Sequence, residues 1–228
     1  MTQAVIASAP GFKSELRRLA PPKLWTFLRE ARSNVRFLKY RAMGRPVRAG
    51  ETAKARARRM REGFFERYCV GRGLDIGYGG DLLSANCLGW DREHGDAQSL
   101  EGVRDGSFDF VYSSHTLEHV ADASEALCNW YRVVKPGGYL ILFVPDRDLY
   151  EKTLTLPSRW NPDHKRFFVL DRDEPPHTVG LLSLVSESIP DAEVIAARQC
   201  ADGHTIVDPM LHSDGEYSIE VILHKPKI

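Results

Sequence analysis

An open α/β domain built on a mainly parallel sheet follows from three features of this 228-residue chain. Apolar runs of strand length alternate with helical periodicity between residues 69 and 144. A turn with three glycines, Gly77, Gly79 and Gly80, closes the first of those runs, and two further strand-like runs lie near the C-terminus. A hydrophobic content of 43% and this length give one full core with an appendage.

Taken in order, residues 13–62 read as helices. Leu24, Leu28, Ala31, Val35 and Leu38 recur at helical spacing behind Pro21-Pro22, and Thr52 to Met60 is rich in Ala, Lys and Arg. Cys69-Val70 and Leu74-Asp75-Ile76 predict a short buried strand ending in the glycines, and Phe108–Ser113 predicts a second. Leu117–Val134 carries a helical apolar stripe stopped by Pro136-Gly137-Gly138. Tyr139–Val144 is continuously apolar and suits a central strand buried on both faces. Residues 146–176 are polar and read as loop; a helix over Val179–Ser186 and strands over Ala192–Ala197 and Ser218–His224 complete the chain. The expected organisation is a basic helical cap over residues 1–64 and an α/β domain over residues 65–228.

Charge is balanced overall, with 31 basic and 31 acidic residues, which argues against a surface built wholly for nucleic acid. It is unevenly spread: residues 1–62 hold 16 Lys/Arg against 4 Asp/Glu, a net of +12, and the remainder carries the compensating −12. The simplest consequence is that basic helices pack on an acidic body; the alternative is docking to a membrane surface or nucleic acid. Cys69, Cys87, Cys128 and Cys200 lack regular spacing and are expected as free thiols, no apolar run reaches membrane-span length, and no leader pattern is visible, so a cytoplasmic protein is expected.

The stretch GLDIGYGGD, residues 73–81, is the most informative. It lacks Gly-Lys-Ser/Thr, and Leu82 stands where a third glycine of the dinucleotide pattern would fall, so a phosphate-bearing nucleotide is disfavoured. Asp75, two residues before Gly77, suits an ammonium group; Asp91, ending Leu88-Gly89-Trp90-Asp91, can accept two ribose hydroxyls; Asp96 can accept from an adenine amino group. Three acids and a glycine turn describe a pocket for an adenosine carrying a cationic amino-acid tail, which is S-adenosylmethionine. The pieces LDIGYGG (74–80), GDAQSL (95–100), GSFDFVYSSHTLEHV (106–120) and ALCNWYRVVKPGGYLILFVPD (126–146) resemble the class I S-adenosylmethionine-dependent methyltransferases, in the small-molecule, type-11-like group with a LEHV segment. The runs VPDRDLYEK and SRWNPDHKRFF look like a bacterial subgroup associated with surface-polysaccharide biosynthesis.

The resemblance implies a Rossmann-like sheet of order 3-2-1-4-5-7-6 with strand 7 antiparallel. It places Asp75, Gly77 and Gly79 at the methionine end of the cofactor, Asp91 on the ribose, Asp96 and Ala97 on the adenine, and Ser113, Ser114 and His115 beside the transferable methyl. Here the spacing departs from the family. Gly77 and Asp91 are only 14 residues apart where about 20 is usual, and Asp91 and Asp96 only five. The first helix is therefore expected to be short, about Asp81 to Asn86, the next helix to be missing, and the sheet to lose its third strand or keep a stub. The N-terminal helices are expected to cover the ground the missing helix leaves.

For the acceptor, a hydroxyl benefits from a base of near-neutral pKa, which favours His115 at the end of a strand. Asp163 and His164 form a second candidate base, with His119, Arg159 and Lys165 as acceptor contacts and Arg166 as a further cation; helix capping or core packing is the alternative for His119. No metal-ligand spacing is recognised, so no metal is expected. The expected activity is O-methylation of a small molecule, with a sugar or polysaccharide precursor as the leading acceptor. The alternatives are a non-catalytic cofactor-binding module and a methyltransferase docked to nucleic acid or membrane by its basic N-terminus. The oligomeric state is open.

Overall fold

The computed structural model describes residues 50–227. The apolar stripe read between residues 24 and 38 lies outside them, as does most of the basic segment. The chain begins with α1 (Glu51–Arg61) and the short α2 (Phe64–Tyr68), then runs through β1 (Gly73–Ile76), β2 (Cys87–Trp90), β3 (Phe108–Ser114), α3 (Ala123–Arg132) and β4 (Val134–Pro145). A π-helical turn at Arg147–Glu151 leads to the small strands β5 (Phe167–Val169) and β6 (Thr178–Gly180), then α4 (Leu181–Ser188), β7 (Glu193–Cys200) and β8 (Ser218–His224).

The main sheet has the order β2-β1-β3-β4-β8-β7. β1 is parallel to β2 and β3, and β3 to β4, whereas β8 runs antiparallel to both β4 and β7. This is the expected order with its third strand absent: β2 is the edge, and residues 91–107 carry turns only. The helix expected over Asp81 to Asn86 does not form either. Only ten residues, 77–86, join β1 to its parallel neighbour β2, which is too few for a helical turn and the return to a parallel strand. The segment instead folds into turns pinned by the Leu83 N–H, which donates to Asp75 Oδ2 at 2.7 Å.

Side chains alternate across the sheet. Leu140, Leu142 and Val144 of β4 face α3 and α4, while Ile141 and Phe143 face the opposite side. That second side is closed by Ala55 of α1 and Phe64 of α2. α1 lies within the segment read as the cap, yet it packs directly on the sheet and covers a face that no helix between β1 and β2 covers. Ion pairs hold it there. Arg58 bonds Glu216 and Glu220, and Arg59 reaches Glu220 Oε2 at 2.7 Å and the Tyr112 hydroxyl at 3.0 Å, all among buried groups. Burial raises the Glu220 carboxyl, but Arg59, Arg58 and Arg198 outweigh it and leave it at about 2.

The helix expected from Leu117 begins only at Ala123. His115 takes a positive φ of 49°, which bends the chain off β3, and residues 117–119 form a turn. Asp122 then caps α3, its side chain accepting from the Glu125 N–H. None of the helices among the described residues is long and apolar enough to cross a membrane. The four cysteines are free thiols, three of them buried.

Candidate active site

The carboxyl ends of β1 to β4 lie on one edge of the sheet, with the start of β8 beside them: Ile76 pairs with Trp90 and Ser113, and Pro145 pairs with Ser218. In open α/β sheets ligands bind at this edge. The cofactor candidates gather there. Asp75 is completely buried on β1; its Oδ2 accepts from Leu83, and its Oδ1 has no hydrogen-bond partner. Burial pushes its carboxyl up to about 8. Gly77 follows with φ 74°, and a Cβ there would collide with the Thr116 hydroxyl, which bonds the Ile76 and Ser114 carbonyls. The glycine turn thus rests directly on the chain that leaves β3.

Asp91 stands at the end of β2. Its Oδ2 accepts from the Gly79 N–H at 3.2 Å and its Oδ1 from the Arg92 N–H at 2.8 Å. Each oxygen keeps a further lone pair for a ligand hydroxyl. Around Asp91, Trp90 and Tyr78 pack on His94, and Tyr78 lies so close over Gly89 that no side chain fits there. Asp96 accepts from the Gln98 N–H, and the Ala97 carbonyl accepts from Trp130 Nε1 at 2.7 Å, tying this turn to α3. Ser113 and Ser114 are buried at the end of β3, and the Ser113 hydroxyl has no partner.

A bound S-adenosylmethionine would find a fitting donor set here. The unpartnered buried oxygen of Asp75 would face its ammonium group and the two oxygens of Asp91 its ribose diol, and Gly79 and Gly80 border open space. Asp96 lies two residues from a loop anchored by Gln98, whose side chain bonds the Asp122 N–H and Glu125.

The acceptor candidates divide. His115 sits at the end of β3 with Nε2 2.8 Å from Ser218 Oγ, and its ring borders Phe143, Tyr150 and Tyr217. Burial, with His164, Lys54 and His119 nearby, holds its pKa well below the ordinary histidine value, and so below the near-neutral value expected of the base, and the ring is neutral at pH 7. His164 is buried next to it, in the same cluster: the His119 and His164 rings are 4.7 Å apart. Its orienting carboxylate is Glu151, whose Oε1 lies 2.5 Å from Nδ1, and the exposed Asp163 has no side-chain contact with it. His119 lies on a turn and is partly exposed, so it neither caps a helix nor packs in the core.

Arg159 is exposed and bonds the Pro209 carbonyl, and the Lys165 side chain points to solvent while its N–H donates to the Glu118 carbonyl. Arg166 is not free to grip an acceptor: its guanidinium bonds the carbonyls of Leu117, Val120 and Ala121. The sequence reading missed Glu118, Glu151, Tyr150, Tyr217 and the loop 201–217 that joins β7 to β8 beside them. Glu118 carried a signal, as an acid between His115 and His119 in a chain segment next to a strand. Glu151 carried none, since it stands in a charged, polar run.

Residues 73–142 match the family model described as a methyltransferase domain. A stretch of 56 residues is 43% identical to an uncharacterised 37.1 kDa protein in transposon TN4556 of Streptomyces fradiae; it spans 25% of this chain and 16% of that protein. Among solved structures, the chain is similar to an S-adenosylmethionine-dependent methyltransferase from Archaeoglobus fulgidus, at 19% identity and a TM-score of 0.44, over 77% of this chain and 94% of that one. It is also similar to one from Aquifex aeolicus, at 11% identity and a TM-score of 0.45, over 82% and 97%.

Proposed function

We propose that this chain, whose residues 73–142 match the methyltransferase-domain family model, transfers the methyl group of S-adenosylmethionine to a hydroxyl of a small polar molecule, with a sugar or polysaccharide precursor as the leading class. The observation that supports this most is the contact between Gly77 and Thr116, which sets the glycine turn one residue from His115. Cofactor acids and a neutral imidazole thereby share one sheet edge.

When bound, the cofactor supplies an electrophilic methyl on a sulfonium. The protein's part is to align the acceptor with it, exclude water and take a proton. Asp75 and Asp91 hold the two ends of the ligand. His115 takes the acceptor's proton on Nε2, where Ser218 Oγ now stands. Beside His115, Tyr150 and Tyr217 pack 4.9 Å apart and His212 lies against both. Flat apolar faces with polar rims suit a sugar ring, which has a C–H face and a hydroxyl edge.

Calorimetric titration with S-adenosylmethionine and S-adenosylhomocysteine, followed by labelled-methyl transfer to sugar acceptors, tests the proposal. One-to-one cofactor binding is expected, with turnover lowered by roughly 10²–10⁴-fold in His115→Gln at unchanged cofactor affinity. Absence of binding by both ligands would sink the reading; binding with turnover unaffected by His115→Gln would move the base elsewhere.

A further inference from the structure

We propose that Glu118, His119 and His164 are the ligands of a single divalent transition-metal ion of the zinc class. The three offer one carboxylate oxygen and two imidazole nitrogens, all within 4.8 Å of one another. Glu118 Oε1 is 3.8 Å from Nε2 of His119 and 3.8 Å from Nε2 of His164. Ligand atoms around a tetrahedral ion stand about 3.4 Å apart for bonds of about 2.1 Å, so the two Glu118 separations close by a few tenths of an ångström and the set as a whole by rotation of the two imidazoles toward each other.

The Glu118 carboxylate is the independent observation. It is completely buried, it points into the histidine pair, and neither of its oxygens has a hydrogen-bond partner. A buried carboxylate in that condition is costly, and a cation between it and two imidazoles removes the cost.

The surroundings are organised for ligation. Glu151 Oε1 lies 2.5 Å from His164 Nδ1, and Ser158 Oγ donates to Glu151 Oε2 at 2.5 Å. A carboxylate on Nδ1 places the proton there and leaves the Nε2 lone pair for a metal, the usual outer arrangement of metal-bound histidine. Asn161 Nδ2 approaches His119 Nε2 at 3.5 Å, the limit of a hydrogen bond, and gives way to the ion. The Lys165 N–H bonds the Glu118 carbonyl at 2.8 Å and Arg166 bonds the turn at Leu117, Val120 and Ala121, so the loop bearing His164 is already fastened to the turn bearing Glu118 and His119. Two carboxylates, Glu118 and Glu151, balance a doubly charged ion.

Ion binding is read without cofactor or acceptor, so it stands or falls apart from the methyl-transfer proposal. The full chain is stripped with EDTA, dialysed and titrated with Zn²⁺ against a chelator, and with Co²⁺ by visible absorption. We expect one ion per chain and the intense visible bands of a low-coordinate Co²⁺ site with histidine ligands. His164→Ala and Glu118→Gln should each weaken Zn²⁺ affinity at least 100-fold, and Glu151→Gln by about 10–100-fold, while His224→Ala leaves it unchanged. Wild-type protein that takes up neither ion overturns the proposal. So does an affinity unchanged in a folded His164→Ala or Glu118→Gln variant, with folding checked by circular dichroism. The Co²⁺ spectrum of the wild type keeps the test open if one variant fails to fold.

Discussion

Asp75 combines two properties that oppose each other in the ligand-free chain. It is fully buried with one oxygen unpartnered, and its carboxyl is raised to about 8. At pH 7 it is therefore mostly protonated, and pairing with an ammonium group must expel that proton. We expect cofactor binding at pH 7 to release close to one proton, measured as the dependence of the calorimetric enthalpy on buffer ionisation, and Asp75→Asn to abolish the release. The same residue sets a stability trend. A carboxyl whose folded pKa lies above its unfolded value favours the fold below about pH 4, and that contribution is lost as pH rises through 8. Asp75→Asn should gain thermal stability over the wild type as pH increases from 4 to 8, read by thermal melts; a constant difference would show that the carboxyl does not titrate there. Gly77 is limiting for a different reason. With φ 74° and the Thr116 hydroxyl against it, Gly77→Ala should lose at least about 1–2 kcal/mol by chemical denaturation and weaken cofactor binding in parallel.

At the scale of elements, the informative case is α1. Its Arg58 and Arg59 side chains are nearly or completely buried against Glu216, Glu220 and Tyr112, while Arg61, one turn away, is largely exposed against Asp202. Breaking a buried pair leaves an uncompensated charge; breaking a screened surface pair does not. Arg59→Ala is expected to cost about 3–5 kcal/mol in urea denaturation, and Arg61→Ala less than about 1 kcal/mol. The elements also show what a sequence can disclose. β8 occupies the residues its apolar run predicted, and β4 is buried on both faces, because hydrophobic pattern alone decides strands of this kind. The lost third strand was legible from spacing, since the four residues between Asp91 and Asp96 cannot hold a helix and a strand. The failure of the helix expected over 81–86 and the late start of α3, at Ala123 rather than Leu117, were not. The first was overruled by chain length between parallel neighbours and by Asp75 taking the Leu83 N–H. The second was overruled by the bend at His115, although Asp122 and Glu125 spell a cap three residues apart. In the candidate site, the position of the glycine turn and of His115 at one sheet edge was readable, because each directly follows a strand. The Glu151–His164 contact joins residues 13 apart through a loop whose course no periodicity announces.

For the whole molecule, the question is where the folded body begins. Read from charge and periodicity, the boundary falls between residues 64 and 65, which assigns α1 and α2 to a separate cap. Yet Ala55 and Phe64 are part of the core on one sheet face, together with Phe110, Tyr112, Ile141 and Phe143, and α1 takes the place of a helix that the short link between β1 and β2 cannot form. Removing residues 1–64 would uncover that face and strip Glu216 and Glu220 of Arg58 and Arg59, leaving buried acids beside exposed aromatic surface. Removing residues 1–48 leaves Ala55, Arg58, Arg59 and Phe64 in the chain. A chain beginning at residue 49 should therefore remain monodisperse by size-exclusion chromatography, melt cooperatively and keep its cofactor affinity, whereas one beginning at residue 65 should aggregate or melt without a cooperative transition. If the shorter chain folded as well as the longer, the pairing of α1 with the acidic face of β8 would be a surface contact, and the compression between β1 and β2 would need another explanation.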